Sequence, residues 1–413
     1  MWARIAQTAT ARAAGLVLGT MSLVLTARWL GPEGRGELAV ATTWAGTLAT
    51  LFGLSLGPIA VRRMAAHAAH AREAATAIKV LFLVACTGTL AAWAVSGVVL
   101  VVSPGEVVHN VSRTVMLLSL AAIPFFIWEQ YSGYLLSAVN RIELYNRGQV
   151  FGRAVALMTV VVLVIQLDLG VAAAVLAVLL GQACIALAGV RLLRAHSRQA
   201  PPVTYATVRA FALDGVRLHP NSLGMLLMFG ADVLLLNHLS TAGEVGNYQL
   251  ATQFVTMLLI VPQAAHLVLS GIVSRSGPDV AWVVQKKAIV AVTAGLSVVA
   301  VLAGFTADHW LPLVVGPQFS TAPELLRWLP IAIVGMSVST MMASQWTGRG
   351  YFALASTLTV AVGVVAFVSN CLLIPRHGAI GAVWALTGAS LFSLTVNGLM
   401  ALHCERRVPR RSL

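Results

Sequence analysis

Apolar stretches of about 20 residues, the length a helix needs to cross a bilayer, recur along almost the whole of this chain. They cover approximately 13–30, 36–60, 76–102, 112–138, 150–168, 169–190, 217–239, 246–272, 283–305, 323–346, 351–374 and 379–402. Few folds are open to such a sequence. Within hydrocarbon each backbone N–H and C=O must be paired inside the protein, so these spans are expected to be helices. Only 10% of residues are charged, against roughly 25% in a soluble domain. The connections are too short for a soluble domain, and the longest, 191–217, holds RLLRAHSRQAPP. The expected architecture is therefore all-α and membrane-embedded, with about twelve helices in two six-helix lobes around a central cavity. The first lobe covers 1–195, a cytoplasmic linker 196–216, and the second lobe 217–413.

The two halves echo each other. Residues 27–42 read ARWLGPEGRGELAVAT and residues 236–252 read LNHLSTAGEVGNYQLAT. Gly36, Ala41 and Thr42 return as Gly246, Ala251 and Thr252, an offset of 210. A period this long marks a duplicated bundle, not a solenoid unit. Transporters are often built from two such halves.

The net charge of +13 invites a nucleic-acid partner, and its distribution excludes one. With both termini placed in the cytoplasm, 22 of the 27 Lys and Arg fall on the inner side. That asymmetry is the positive-inside pattern of a multi-pass membrane protein with both termini in the cytoplasm, its basic side facing anionic lipid. The start, Met1 to Gln7, lacks the features of a cleaved signal, so the first apolar run is expected to remain as a span. Cys86, Cys184 and Cys371 lie in spans and Cys404 in the tail, without the spacing of a disulfide framework or a zinc site. No cofactor is expected, beyond a coupling ion such as H+ or Na+.

Nothing reads as an enzyme. HExxH and Walker-type loops are absent, the GxSxG string at 53–57 lies inside an apolar run and not at a strand end, and the Gly31, Gly34, Gly36 cluster follows a helix instead of a strand. A membrane-embedded glycan polymerase or ligase would need an outer catalytic cluster, and the outer loops are short. Helical spacing instead yields polar faces. Arg12, Gly15, Gly19, Ser22 and Thr26 share a face of the first span; Thr42, Gly46, Thr50, Gly53 and Gly57 share one in the second. Asn221, Met225, Met228 and Asp232 align in the seventh, and Gln249, Thr252, Gln253, Thr256 and Gln263 in the eighth. These faces serve either tight helix packing or the lining of a wet cavity. The substrate-binding candidates are Arg12, Ser22, Thr26, Thr42, Thr50, Asn221, Gln249, Thr252, Gln253, Thr256 and Gln263. Asp232, Glu129 and Arg28 are the coupling or gating candidates, because charges inside a membrane are functional by default. For Glu129 the expected partner is an inner-loop arginine. Arg28 lies off the stripe of its own helix, where snorkelling to the outer interface is the plainer reading.

These segments resemble the bacterial lipid-linked oligosaccharide flippases, the polysaccharide branch of the multidrug/oligosaccharidyl-lipid/polysaccharide exporter superfamily. Ala27 to Ala39 is similar to the pattern ARxLGPEGxGxLA, and Gly53 to Arg62 to GLxxAxxR. Asp232, Leu239, Gly246, Tyr248 and Ala251 follow its second-half signature. The loop Asn140 to Asn146 resembles GRFxxYN, with Asn140 for Gly and Ile142 for Phe. The resemblance covers essentially the whole chain. It implies movement of an undecaprenyl-pyrophosphate-linked glycan to the outer leaflet by alternating access, with membrane lipids and other polysaccharide-assembly proteins as partners. It supplies no matched set of deep arginines; of the arginines, only Arg12 lies on a stripe of spans 1, 2, 7 or 8. The alternative within the superfamily is a cation-coupled multidrug exporter. A peptidoglycan-precursor flippase is a further relative, and those usually have extra spans.

Overall fold

The computed structural model describes residues 2–66, 70–102, 109–198 and 202–407, with no strand among them. Among the described residues, ten stretches are long and apolar enough to cross a membrane. Two of these are too long for one crossing: Ala13–Phe52 has 40 residues and Ala353–Cys404 has 52. At 1.5 Å per residue they would reach roughly 60 and 78 Å, against a hydrocarbon layer of about 30 Å. Each is two helices joined at a glycine with non-helical backbone, Gly31 (φ 66°, ψ −175°) and Gly378 (φ 55°, ψ −135°). Positive φ is open to glycine because it has no Cβ to clash. Pro32 then opens the next helix, at a position where its missing N–H loses no bond. Dividing these two stretches turns ten into twelve, the number the apolar runs predict.

The first unit begins with α1 (2–30) and α2 (32–52), the latter bent at residues 53–55 and continued by α3 (Leu56–Ala66). Next come α4 (His70–Val102), α5 (Arg113–Ala121), α6 (Ile123–Ala138), α7 (Ile142–Thr159) with a π-helical turn at Val160–Gln166, and α8 (Gly170–Leu187). After α9 (Val190–Ser197) the chain continues through α10 (Tyr205–Phe229), α11 (Ala231–Leu239), α12 (Ala242–Leu258), α13 (Ile260–Ser276) and α14 (Pro278–Phe305). A short α15 (Ala307–Val315), α16 (Ala322–Gly348), α17 (352–377) and α18 (379–407) complete it. Two compact units result, Met1–Leu223 and Gly224–Leu413, with the boundary inside α10. The first part of α10 packs in the first unit. There Asp214 accepts from Arg63 at 2.7 Å, and Ser222 and His219 meet Ser55 at 2.7 and 3.2 Å.

The duplication extends to a tertiary hydrogen bond. In the first unit the Ser112 N–H, at the start of α5, donates to Glu37 Oε1 at 2.7 Å. In the second, the Ala322 N–H, at the start of α16, donates to Asn247 Oδ1 at 3.1 Å. Both ends of this bond differ by the same offset of 210 that relates Gly36 to Gly246. Each bond satisfies one of the N–H groups that a helix start leaves without an intrahelical partner.

Within each unit, glycine contacts and polar bridges hold the spans together. A Cβ on Gly152 of α7 would lie 2.5 Å from the Gly181 carbonyl of α8, so the two backbones touch. In the second unit Gln285 and Gln345 are 0% and 1% exposed. Gln285 Nε2 donates to the Met341 carbonyl at 2.8 Å and to Ser344 Oγ at 3.1 Å; Gln345 Nε2 donates to Gln285 Oε1 at 2.7 Å and to the Pro278 carbonyl at 3.0 Å. Trp346 Nε1 donates to Asn397 Oδ1 at 2.8 Å, tying α16 to α18. Removing Gln285 strands several buried partners at once, at about 1–3 kcal/mol per unsatisfied group. Gln285→Leu is therefore expected to lower the thermal unfolding midpoint of the detergent-solubilised protein. An unchanged midpoint would show that this network does not hold α14 to α16.

Candidate functional site

The first unit carries a polar seam. Glu129 projects from α6 and Gln182 from α8, while Tyr145, Gln149 and Arg153 lie at i, i+4 and i+8 along one face of α7. Glu129 Oε1 accepts from Gln149 Nε2 at 2.7 Å and from the Tyr145 hydroxyl at 3.2 Å. Its Oε2 accepts from Gln182 Nε2. Gln149 Nε2 also lies 2.8 Å from the Tyr145 hydroxyl oxygen. Gly133 admits the Tyr145 ring, which would stand 3.2 Å from a Cβ placed there. Glu129 was expected to pair with an inner-loop arginine, and that expectation is corrected. All three of its donors are neutral side chains on helices, and the loop arginine, Arg141, is drawn to Glu143 two residues away at 3.5 Å.

One turn beyond Gln149, Arg153 Nη1 donates to the Gly15 carbonyl of α1 at 2.7 Å. No acidic side chain among the described residues lies within ion-pair distance of Arg153, and its side chain is exposed. It stands eleven residues, about 16 Å, from the start of α7. An arginine at the centre of a span costs about 2.5–3.5 kcal/mol on insertion scales, and such residues face a bundle interior or a water-filled space. In the sequence Arg153 lies near the start of the apolar run 150–168 and counts among the charges on the inner side. The signal available was its i, i+4, i+8 spacing from Tyr145 and Gln149.

Along α1, Thr26 is buried and its hydroxyl donates to the Ser22 carbonyl at 2.8 Å. Thr26 Oγ1 also accepts from Arg35 Nη1 at 3.3 Å. The break at Gly31 turns the chain back so that Arg35 meets the helix before it. Ser22 is half-buried and Arg28 exposed, whereas the side chain of Arg12 lies outside the described residues. In α2, Thr42 donates to the Leu38 carbonyl at 2.8 Å and Thr50 is half-buried. The bonded threonines, Thr26 and Thr42, use their hydroxyl protons within their own helices, leaving oxygen lone pairs for another donor.

In the seventh span the face expected from Asn221 to Asp232 is interrupted. Gly230 (φ −130°, ψ −35°) ends α10 and restarts the chain as α11. Asn221 and Met225 are exposed, while Met228 and Asp232 are buried, Asp232 to 4%. The Asp232 carboxylate accepts from the Tyr248 hydroxyl of α12 and, at 2.8 Å, from the Val233 N–H. In the eighth span, Thr252 and Thr256 donate to the carbonyls four residues earlier, each at 3.0 Å. Gln249 and Gln253 are half-buried and Gln263 is exposed beyond the junction at Leu259, where α12 gives way to α13. The amides of these three glutamines have no hydrogen-bond partner among the described residues, so each keeps two donors and an acceptor open. No group of three His, Cys, Asp or Glu side chains is placed to hold a metal among the described residues.

Several solved structures share this fold over most of the chain. A lipid II flippase, MurJ, in an inward closed conformation superposes with a TM-score of 0.74 at 10% identity, over 95% of this chain and 87% of that one. An inward-facing multidrug resistance transporter of the MATE family, in the MOP superfamily, gives 0.69 at 15% identity, over 95% and 96%. A MOP superfamily transporter from Pyrococcus furiosus gives 0.61 at 15% identity, over 96% and 95%. A search of curated proteins by sequence finds no match. At these identities the structural likeness establishes the fold, and the sequence itself establishes the family. Residues 1–266, more than half of the chain, match the family described as polysaccharide biosynthesis protein, and the chain belongs to that family.

Proposed function

We propose that this protein flips an undecaprenyl-pyrophosphate-linked oligosaccharide from the inner to the outer leaflet of a bacterial cytoplasmic membrane, by alternating access, for cell-surface polysaccharide assembly. The observation that carries this reading is the family match over residues 1–266. Chemistry supports it. A glycan cannot enter hydrocarbon unaided, because each unpaired polar group costs several kcal/mol. The open amides of Gln249, Gln253 and Gln263 both donate and accept, as sugar hydroxyls require. At 100 mV, inside negative, outward movement is favoured by about 2.3 kcal/mol per negative charge, so a doubly charged diphosphate gains roughly 4–5 kcal/mol if no counter-charge crosses with it. Asp232 and Glu129 are proposed to tune the cycle, and the potential reduces the need for a coupling ion.

The fold shared with a MATE transporter supports a second reading, export of organic cations. Proteoliposomes distinguish the two. A lipid-diphosphate oligosaccharide is expected to move to the outer leaflet at an inside-negative potential, and a dye cation is not. Dye export without glycan movement would overturn the proposal in favour of the second reading.

Gln253→Ala is expected to slow glycan flipping about two- to tenfold, the loss of one to two net hydrogen bonds, at unchanged thermal stability. Equal flipping at equal stability would remove the eighth span from the substrate path. The orientation is open to an independent check. In a background lacking Cys86, Cys184, Cys371 and Cys404, single cysteines at Ser197 and Gly243 are expected to label from the inner and outer sides respectively. Labelling of both from one side would overturn the assigned topology.

A further inference from the structure

The two units solve one helix contact differently, and the difference points to a ligand. In the second unit Gly363 of α17 meets Gly224 of α10; a Cβ on Gly363 would lie 2.4 Å from the Gly224 carbonyl oxygen. At the offset of 210, Gly363 corresponds to Arg153 of α7, and Gly224 lies one residue short of the counterpart of Gly15. So where the second unit brings backbone against backbone, in the first the Arg153 side chain of α7 reaches the Gly15 carbonyl of α1. Its Nη1 holds the Gly15 carbonyl at 2.7 Å, and its other N–H groups find no partner among the described residues. Gly15 and Gly19 give it room: Cβ atoms there would lie 3.3 and 3.5 Å from Nη1.

We propose that Arg153 is an anion-responsive wedge, holding α1 off α7 through the Gly15 carbonyl and letting α1 close when a phosphate of the cargo takes its guanidinium. The ligand class is a phosphate or diphosphate monoester or diester. A guanidinium presents five donors in a plane that matches phosphate oxygens two at a time, which a single main-chain carbonyl cannot do. A ligand anion is therefore the stronger partner, and Gly15 is freed when it binds. With the wedge withdrawn, the glycine face of α1 can approach α7 as Gly224 approaches Gly363. Local binding thereby becomes movement of the first span. The assignment of a diphosphate cargo rests on the proposed function; the wedge itself does not.

The test places spin labels at Val17 and Phe151, which are 58% and 63% exposed, and measures their separation in the detergent-solubilised full chain with and without inorganic pyrophosphate. Pyrophosphate is expected to shorten the distance by on the order of 2 Å, within the range that contact residues set for helix packing. Arg153→Gly is expected to be short without pyrophosphate and unmoved by it. Arg153→Gln keeps a donor for Gly15 without the charge, so its distance should stay long and ignore pyrophosphate. Arg153→Lys should respond, with affinity for pyrophosphate weakened at least tenfold in calorimetry. Should Arg153→Gly fail to fold, the Gln and Lys variants carry the same contrast. An unmoved wild type, or an Arg153→Gln variant that responds like wild type, overturns the wedge. Glycan flipping is scored separately in proteoliposomes. Pyrophosphate closure without flipping sinks the cargo assignment and leaves the wedge; flipping without closure does the reverse.

Discussion

Hydrocarbon offers no hydrogen bonds, and that single fact decides most of this structure. Each span is helical because its backbone must pair with itself. Where the helix must break, the orphaned groups need other partners, and the breaks are built around that need. At Gly378 the backbone turns through positive φ, and the following Ala379 N–H donates to Glu244 Oε2 at 3.1 Å. A Cβ on Gly378 would stand 2.4 Å from that same oxygen, so only glycine allows both the turn and the approach. Ser240 also donates to this carboxylate, at 2.6 Å, binding the turn between α11 and α12 to the turn between α17 and α18. The Glu37 and Asn247 bonds to the starts of α5 and α16 obey the same rule.

How much of this could be read from the sequence follows from the reach of its signals. Span number, helical class and duplication rest on hydropathy and on residue identity, both of which survive without coordinates. The offset taken from Gly36 and Gly246 predicts which bonds repeat, and the Glu37–Ser112 and Asn247–Ala322 pairs repeat at that offset. Helical wheels fared worse, for one reason. A wheel assumes unbroken phase, and Gly230 and the Leu259 junction each interrupt it, so a face drawn from Asn221 to Asp232 or from Gln249 to Gln263 crosses a joint. Charge position shows a related limit. Arg35 lies one residue outside the apolar run 36–60 yet inside a helix, and Arg153 lies within the run 150–168, where a count of charges gives no sign of what it faces. Arg35 folds back onto Thr26, and Arg153 stands among Gly15, Gly19 and the α7 polar face.

Duplication explains the scaffold, and departures from it mark where the halves were put to different use. Glu37 and Asn247 differ in charge yet fill one structural role, so that difference concerns only the strength of a bond. Arg153 and Gly363 do not fill one role, since one side chain donates to the Gly15 carbonyl of the neighbouring helix and the other, by its absence, lets two backbones touch. The intramembrane carboxylates diverge as well. Glu129 is held by three neutral side-chain donors, Asp232 by a tyrosine hydroxyl and a main-chain N–H.

This last difference bears on what each carboxylate can do. Neither has an arginine or lysine within ion-pair distance among the described residues, so neither charge is cancelled where it stands. Neutral donors stabilise a carboxylate by directing N–H and O–H dipoles at it, and they leave the field of the net charge in place. A cation approaching either site is therefore attracted, and a phosphate is repelled. Arg153 lies on the same face of α7 as the two residues that hold Glu129, so the first unit offers an anion both an attractive and a repulsive charge within a few helical turns. Under the proposed binding at Arg153, repulsion from Glu129 would give a phosphate one preferred position along the span. A charged headgroup moving through a low-dielectric layer needs that positional definition more than it needs tight binding, because a site that held it too firmly would not release it.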